Sequence, residues 1–272
     1  NDVYEGDFTL IIDVGGNDTY NLSNSSKMSA LKRPVQCIVD LSGNDLYVGG
    51  DFSLAGAVAG VSVVIDRGGN DVYRASNFSL GSGLFGVGIL HDFDGDDMYV
   101  GGTNTQGCGI FGVGLLVDQS GNDTYRCDAQ GQGFGGTRGV GVLADLAGND
   151  QYIGASPFVD ALRYESHYTT FTQGAALGYR PIASGGVGLL LEYSGNDNYV
   201  TDIYGQGTGY WFGLGAIADL AGEDRYQAYQ YAQGAGVHFA TGLVRDYEGA
   251  DVYVSHGVSQ GCGHDVALGA LI

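Results

Sequence analysis

The sequence predicts an all-β chain wound as a right-handed parallel β-helix, a β-solenoid with about 26–27 residues per coil. Three observations carry this. An eight-residue phrase, seen as Asp118-Gln119-Ser120-Gly121-Asn122-Asp123-Thr124-Tyr125, occurs nine times, ending at Tyr20, Tyr47, Tyr73, Tyr99, Tyr125, Tyr152, Tyr199, Tyr226 and Tyr253. Its spacing is 26 or 27 residues, apart from one step of 47. Between the phrases lie short β-rich runs broken by Gly and Asn-Asp turns, with no helical period before residue 156. Propellers need about 40 or more residues per blade, and leucine-rich repeats carry a different signature.

Within one coil, Tyr125 leads through Arg126 and Cys127 to Gln130-Gly131-Gln132-Gly133, then to Gly139-Val140-Gly141-Val142-Leu143-Ala144 and the next acid, Asp145. Two residues before each first acid stands Ile11, Ile38, Val64, Leu90, Leu116, Leu143, Leu190, Ile217 or Val244, the expected core column. The column before that, from Leu10, Cys37 and Val63 onward, is also apolar. Stacked coils turn equivalent side chains into ladders, so the tyrosines should form an aromatic stack. The glycine present in all nine phrases is expected to need a positive φ, and the Asn and Asp beside it suit a turn.

Residues 1–272 read as one solenoid domain, a piece of a longer array. The first coil is shortened, with nine residues from Tyr4 to Asp13 against 19 or 20 elsewhere. An insertion of about twenty residues falls within 156–181, and Asp160 to Glu165 reads as a short helix.

Fifty glycines without a Gly-X-Y period exclude collagen, and nineteen tyrosines argue against a disordered linker. A net charge of −20 disfavours nucleic acid and anionic membranes, and suits cations or a salty exterior. No apolar run approaches the roughly 20 residues needed to insert across a bilayer. The four cysteines read as free thiols: Cys108 and Cys262 share a repeat position but lie six steps apart, beyond disulfide reach.

Two columns of acids repeat about every 4.8 Å up the stack, and would repel unless neutralised or hydrogen-bonded. The second comprises Asp18, Asp45, Asp71, Asp97, Asp123, Asp150, Asp197, Asp224 and Asp251. Hard oxygen ligands on Gly-rich turns suit calcium. Gly-Gly-Asn-Asp-Thr-Tyr (15–20) and Ser-Gly-Asn-Asp-Thr-Tyr (120–125) resemble half of the RTX calcium-binding nonapeptide, Gly-Gly-x-Gly-x-Asp-x-apolar-x. RTX units recur every nine residues, these every 26 or 27. The phrases also resemble secreted bacterial β-solenoid proteins with Gly-Asn-Asp-x-Tyr repeats. These resemblances imply calcium on the second acid column and an extracellular or cell-surface location.

The later coils break uniformity. A Gln-Gly corner is read at Gln106, Gln130, Gln173, Gln206, Gln233 and Gln260, with amides bonding along the stack. Five residues past it stand Gly178, Trp211, His238 and Asp265; four past it stand Leu177, Tyr210, Val237 and His264. Adjacent coils would bring His238 and Asp265 into hydrogen-bond reach, and the insertion would add Arg163, Glu165, His167 and Tyr168. If the Trp211 column faces outward, strand parity would turn Leu177, Val237 and His264 inward. The first expectation is a secreted or cell-surface protein binding an extracellular polysaccharide through Trp211, Tyr210, Arg163, Tyr168 and His264. The alternatives are a polysaccharide lyase or glycoside hydrolase with His238, Asp265, His167 and Glu165 as acids and bases, and a calcium-stiffened adhesin stalk.

Overall fold

The computed structural model describes residues 1–6 and 8–272. The chain is a β-solenoid in which each strand pairs in parallel with its equivalents one coil below and above. Among the described residues the first face has ten strands, from Val3–Glu5 to Val252–Val254. The second also has ten, from Leu10–Ile12 to Leu268–Leu271. A third face of two- and three-residue strands begins at Gly56–Val58 and ends at Gly263–His264, bridged through Gly135. Register follows the repeat: Tyr99 pairs with Tyr125 and Tyr125 with Tyr152.

The tyrosine column fills the lumen. Tyr20 to Tyr226 are all 0% exposed. Their rings stack in parallel, with centroids 4.8 Å apart from Tyr99 to Tyr125 and 4.9 Å from Tyr125 to Tyr152. The column from Ile11 through Leu116 to Val244 packs into the same core. Each hydroxyl also has a partner that the repeat alone does not announce. Tyr99 donates to Asp118 Oδ2 and Tyr125 to Asp145 Oδ2, both at 2.6 Å. Up to Tyr199 the first acid thus closes the next turn and caps the tyrosine of the coil before it, whereas Tyr226 and Tyr253 donate to Asp219 and Asp246 of their own phrases. Its other oxygen accepts the N–H two residues on, as Asp40 Oδ1 does from Ser42 at 2.9 Å.

Four local expectations are corrected. Residues Lys27–Lys32 form a short helix, with Ser26 as N-cap, where no helical period was read. Residues 160–165 are a single turn instead, in which Arg163 and Tyr164 both donate N–H to Asp160 O. The Gln column contains Gln132, not Gln130: Gly131 bridges Thr172, which places Gln132 beside Gln173. These amides do not bond to one another. Gln132 Nε2 donates to Tyr125 O at 2.9 Å and to Ile153 O at 3.2 Å, and its Oε1 is left without a donor.

The motif glycine owes its place to close approach more than to φ. A Cβ on Gly121 would lie 1.6 Å from Gly95 O, and one on Gly195 1.6 Å from Gly148 O. Positive φ accompanies this at Gly121 (157°) but is not shared by every copy. Gly121→Ala is therefore expected to lower unfolding free energy by more than about 1 kcal/mol in a denaturant titration. An unchanged midpoint would mean that the turns separate freely.

The second face alternates cleanly. Gly114, Leu116 and Asp118 point inward and are buried, whereas Val113, Leu115 and Val117 point outward. Hence the apolar column of Leu10, Cys37 and Val63 lies on the outside of the solenoid, partly covered by its own neighbours. All four cysteines are free. No helix among the described residues is long and apolar enough to cross a membrane.

Candidate binding groove

The third face lies almost on the backbone of the second. A Cβ on Gly133 would come 1.9 Å from Leu189 O, and one on Gly209 2.1 Å from Thr241 O. Inward positions are therefore Gly or Ala. The residue after each, Leu177, Tyr210, Val237 or His264, turns outward. The next residue leaves the strand in the left-handed region: φ is 46° at Trp211, 55° at His238 and 54° at Asp265. That bend cancels the alternation expected of a strand. The inward facing expected for His264 does not occur, since its side chain is 41% exposed, whereas Val237 is buried in a second apolar cluster with Phe171 and Tyr204, and Leu177 packs against that cluster.

The stacking order is as the repeat predicts. Trp211 N–H donates to Val237 O and His238 N–H to His264 O. His238 Nδ1 lies 2.8 Å from Asp265 Oδ2, with His264 Nε2 3.6 Å from the same oxygen. Tyr210 meets His238 edge-on, with centroids 5.2 Å apart.

The insertion supplies the other wall. Arg163 pairs with Asp160 at 2.9 Å and lies over the Tyr204 and Tyr231 rings. Those rings belong to an outer ladder with Phe171, at 4.7 Å and 5.1 Å spacing. Arg180 lies over Trp211, 5.4 Å from the ring centroid, with Nη1 3.4 Å from His238 Nε2. Between them is an open groove of about 310 Å³ lined by Arg163, Arg180, Tyr179, Tyr204, Tyr210 and Phe171.

A guanidinium only donates, so the contact assigns a lone pair to His238 Nε2 and the proton to Nδ1, facing Asp265. Burial, helped by the Arg180 charge, holds His238 below its ordinary pKa. The imidazole is thus neutral at pH 7, with one nitrogen oriented by a carboxylate and the other turned to Arg180.

The remaining site residues separate. His167 pairs with Asp202 at 2.9 Å and stacks on Tyr229, which stacks on His256. Tyr168 N–H donates to the other Asp202 oxygen at 2.6 Å. Tyr164 OH reaches Gln230 Oε1. These contacts pin the insertion to the first-face edge of the stack. Glu165 is exposed and touches neither cluster. Sequence reasoning left Arg180, Tyr204 and Asp202 out of the site. Arg180 lay within the insertion, but Tyr204 and Asp202 carried no signal beyond their place in a coil next to it.

The second acid column is buried and half-satisfied. Each Oδ1 accepts the N–H of its equivalent in the preceding coil; Asp97 N–H donates to Asp123 Oδ1 at 2.6 Å. The Oδ2 atoms of Asp18, Asp45, Asp71, Asp97, Asp123, Asp150, Asp197 and Asp224 meet no donor. Asp71, Asp92 and Asp97 bring one carboxylate oxygen each within 4.8 Å of one another, as do Asp97, Asp118 and Asp123. Burial pushes Asp45 up to about 7, Asp71 and Asp123 to about 9 and Asp97 to about 10. In kind the donors suit a hard cation, each triad offering three of the six to eight oxygens that calcium takes. No family model, curated protein or solved structure matches this chain.

Proposed function

We propose that this β-solenoid is a secreted or cell-surface protein that binds an extracellular glycan in the groove beneath the insertion. The observation that carries this is the groove itself, an open channel floored and walled by Tyr204, Tyr210, Tyr179 and Phe171 on a rigid stack. Sugar rings present apolar faces that stack on such aromatics, and their hydroxyls suit the polar tips. Tyr210→Ala is expected to weaken binding in a glycan panel at least tenfold with an unchanged melting temperature. Binding that survives this change would place the ligand elsewhere.

The His238–Asp265 pair favours a second reading, an enzyme acting on the same polymer. His238 Nε2 holds a lone pair behind Arg180, which lines the groove; once Arg180 turned to a ligand, that lone pair could take a proton, and Asp265 would stabilise the imidazolium formed. His238→Ala and Asp265→Ala should then abolish turnover while leaving glycan binding largely intact; equal turnover in both variants and the parent would exclude this role. The eight orphaned Oδ2 atoms favour calcium along the second acid column as a stiffening element of the scaffold. There the ions would neutralise buried carboxylates; they have no part in the groove.

A further inference from the structure

The geometry points to a carboxylated polymer, one carrying uronate sugars, as the ligand of this groove; this rests on the glycan-binding reading above. The chain holds 11 Lys and Arg against 31 Asp and Glu, so its general field repels polyanions. Yet two guanidinium groups stand at the groove. Arg163 is already matched by Asp160. Arg180 has no carboxylate within ion-pair distance among the described residues. What holds it is the Trp211 ring and the neutral His238 Nε2, both of which orient a cation without neutralising it. The planar fork of arginine fits a carboxylate by two parallel hydrogen bonds, a geometry that lysine or a neutral donor does not offer. A sugar stacked on Tyr210 or on the exposed Tyr179, with its carboxylate turned to Arg180, would use both features at once. A neutral sugar in the same place would desolvate Arg180 with no acceptor of matching charge.

The test is calorimetric titration with a panel of uronate oligomers, each beside its methyl ester, using the full chain and Arg180→Gln. We expect at least one acid to bind tenfold or more tighter than its ester, with the difference lost in Arg180→Gln and the melting temperature unchanged. An acid and ester of equal affinity would overturn the inference while leaving the glycan reading in place. A preference that persists in Arg180→Gln would also overturn the assignment to Arg180. No binding by any oligomer, charged or neutral, would overturn the glycan reading and the inference together.

A different observation carries a second proposal: we infer that the outward side of the second face docks a second copy of this chain. Its three outward columns run through Val113, Leu115 and Val117 and are apolar apart from His91, Thr241 and Arg245. Ten strands about 4.8 Å apart and three columns over five residues give a flat face of about 700 Å². That is above the size at which an exposed apolar patch is ordinary, and it matches one partner's share of a standard interface. In a chain of net charge −20 these columns contain no acid, and their one formal charge is Arg245. It is the side on which two copies can meet without repulsion.

Sedimentation equilibrium is expected to give twice the chain mass at micromolar concentration. Val142→Lys with Leu189→Lys, both outward, should give the monomer mass with an unchanged circular dichroism spectrum. A parent that stays monomeric to about 100 μM, well above the Kd range of specific interfaces, overturns the proposal. So does a dimer that survives both lysines.

Discussion

In chelator, the protein should melt at a lower temperature at pH 8.5 than at pH 5. The cause is the second acid column, whose carboxyls are buried with an unpaired Oδ2. Burial raises Asp150 and Asp224 to about 7, Asp197 to about 8 and Asp71 to about 9, from an unfolded value near 3.9. The folded state therefore binds more protons than the unfolded chain between about pH 4 and these values. Stability must fall as pH rises through that window, and be fullest below it. Calcium added at pH 8.5 should reverse the loss, since a ligand at one hundred times its Kd stabilises by about 2.7 kcal/mol per site. Calorimetric scans at four pH values, with and without calcium, measure both effects. A melting temperature that rises with pH in chelator would show that the carboxylates are ionised and satisfied by other means. One restored by pH but indifferent to calcium would leave protons as the sole neutralisers.

Tyr125→Ala should cost about 3–5 kcal/mol, a large share of the 5–15 kcal/mol that a folded domain holds. The ring is 0% exposed and stacks on Tyr99 and Tyr152, so truncation leaves a cavity that neither neighbour can enter. Tyr125→Phe keeps the stack and removes only the donor to Asp145 Oδ2. Its expected cost is about 1–3 kcal/mol, the penalty of an unpartnered buried acceptor. Urea titrations of the two variants separate ring from hydroxyl. A loss below 1 kcal/mol for the alanine variant would mean that adjacent coils close over the gap.

Much of the scaffold was legible in the chain because each coil touches only its neighbours. A residue repeated at 26 or 27 positions must then stack on its own copies, which placed the Tyr column, both acid columns and the order Trp211, His238, Asp265 without any coordinates. What the period cannot carry is which way a side chain turns. Leu115 and Leu116 are equally apolar, yet one faces out and the other in, because only Gly114 and Gly141 fit beside the third face. Nor does a periodic text say that Trp211, His238 and Asp265 would take positive φ and bring His264 outward with them. The Gln132 register, the Tyr–Asp bonds between coils and the seat of Arg180 over Trp211 depend likewise on contacts between distant residues. The repeat thus determined the stack; the narrow lumen, the left-handed corner and the docked insertion decided the groove, since each arises from steric fit between segments that share no local pattern.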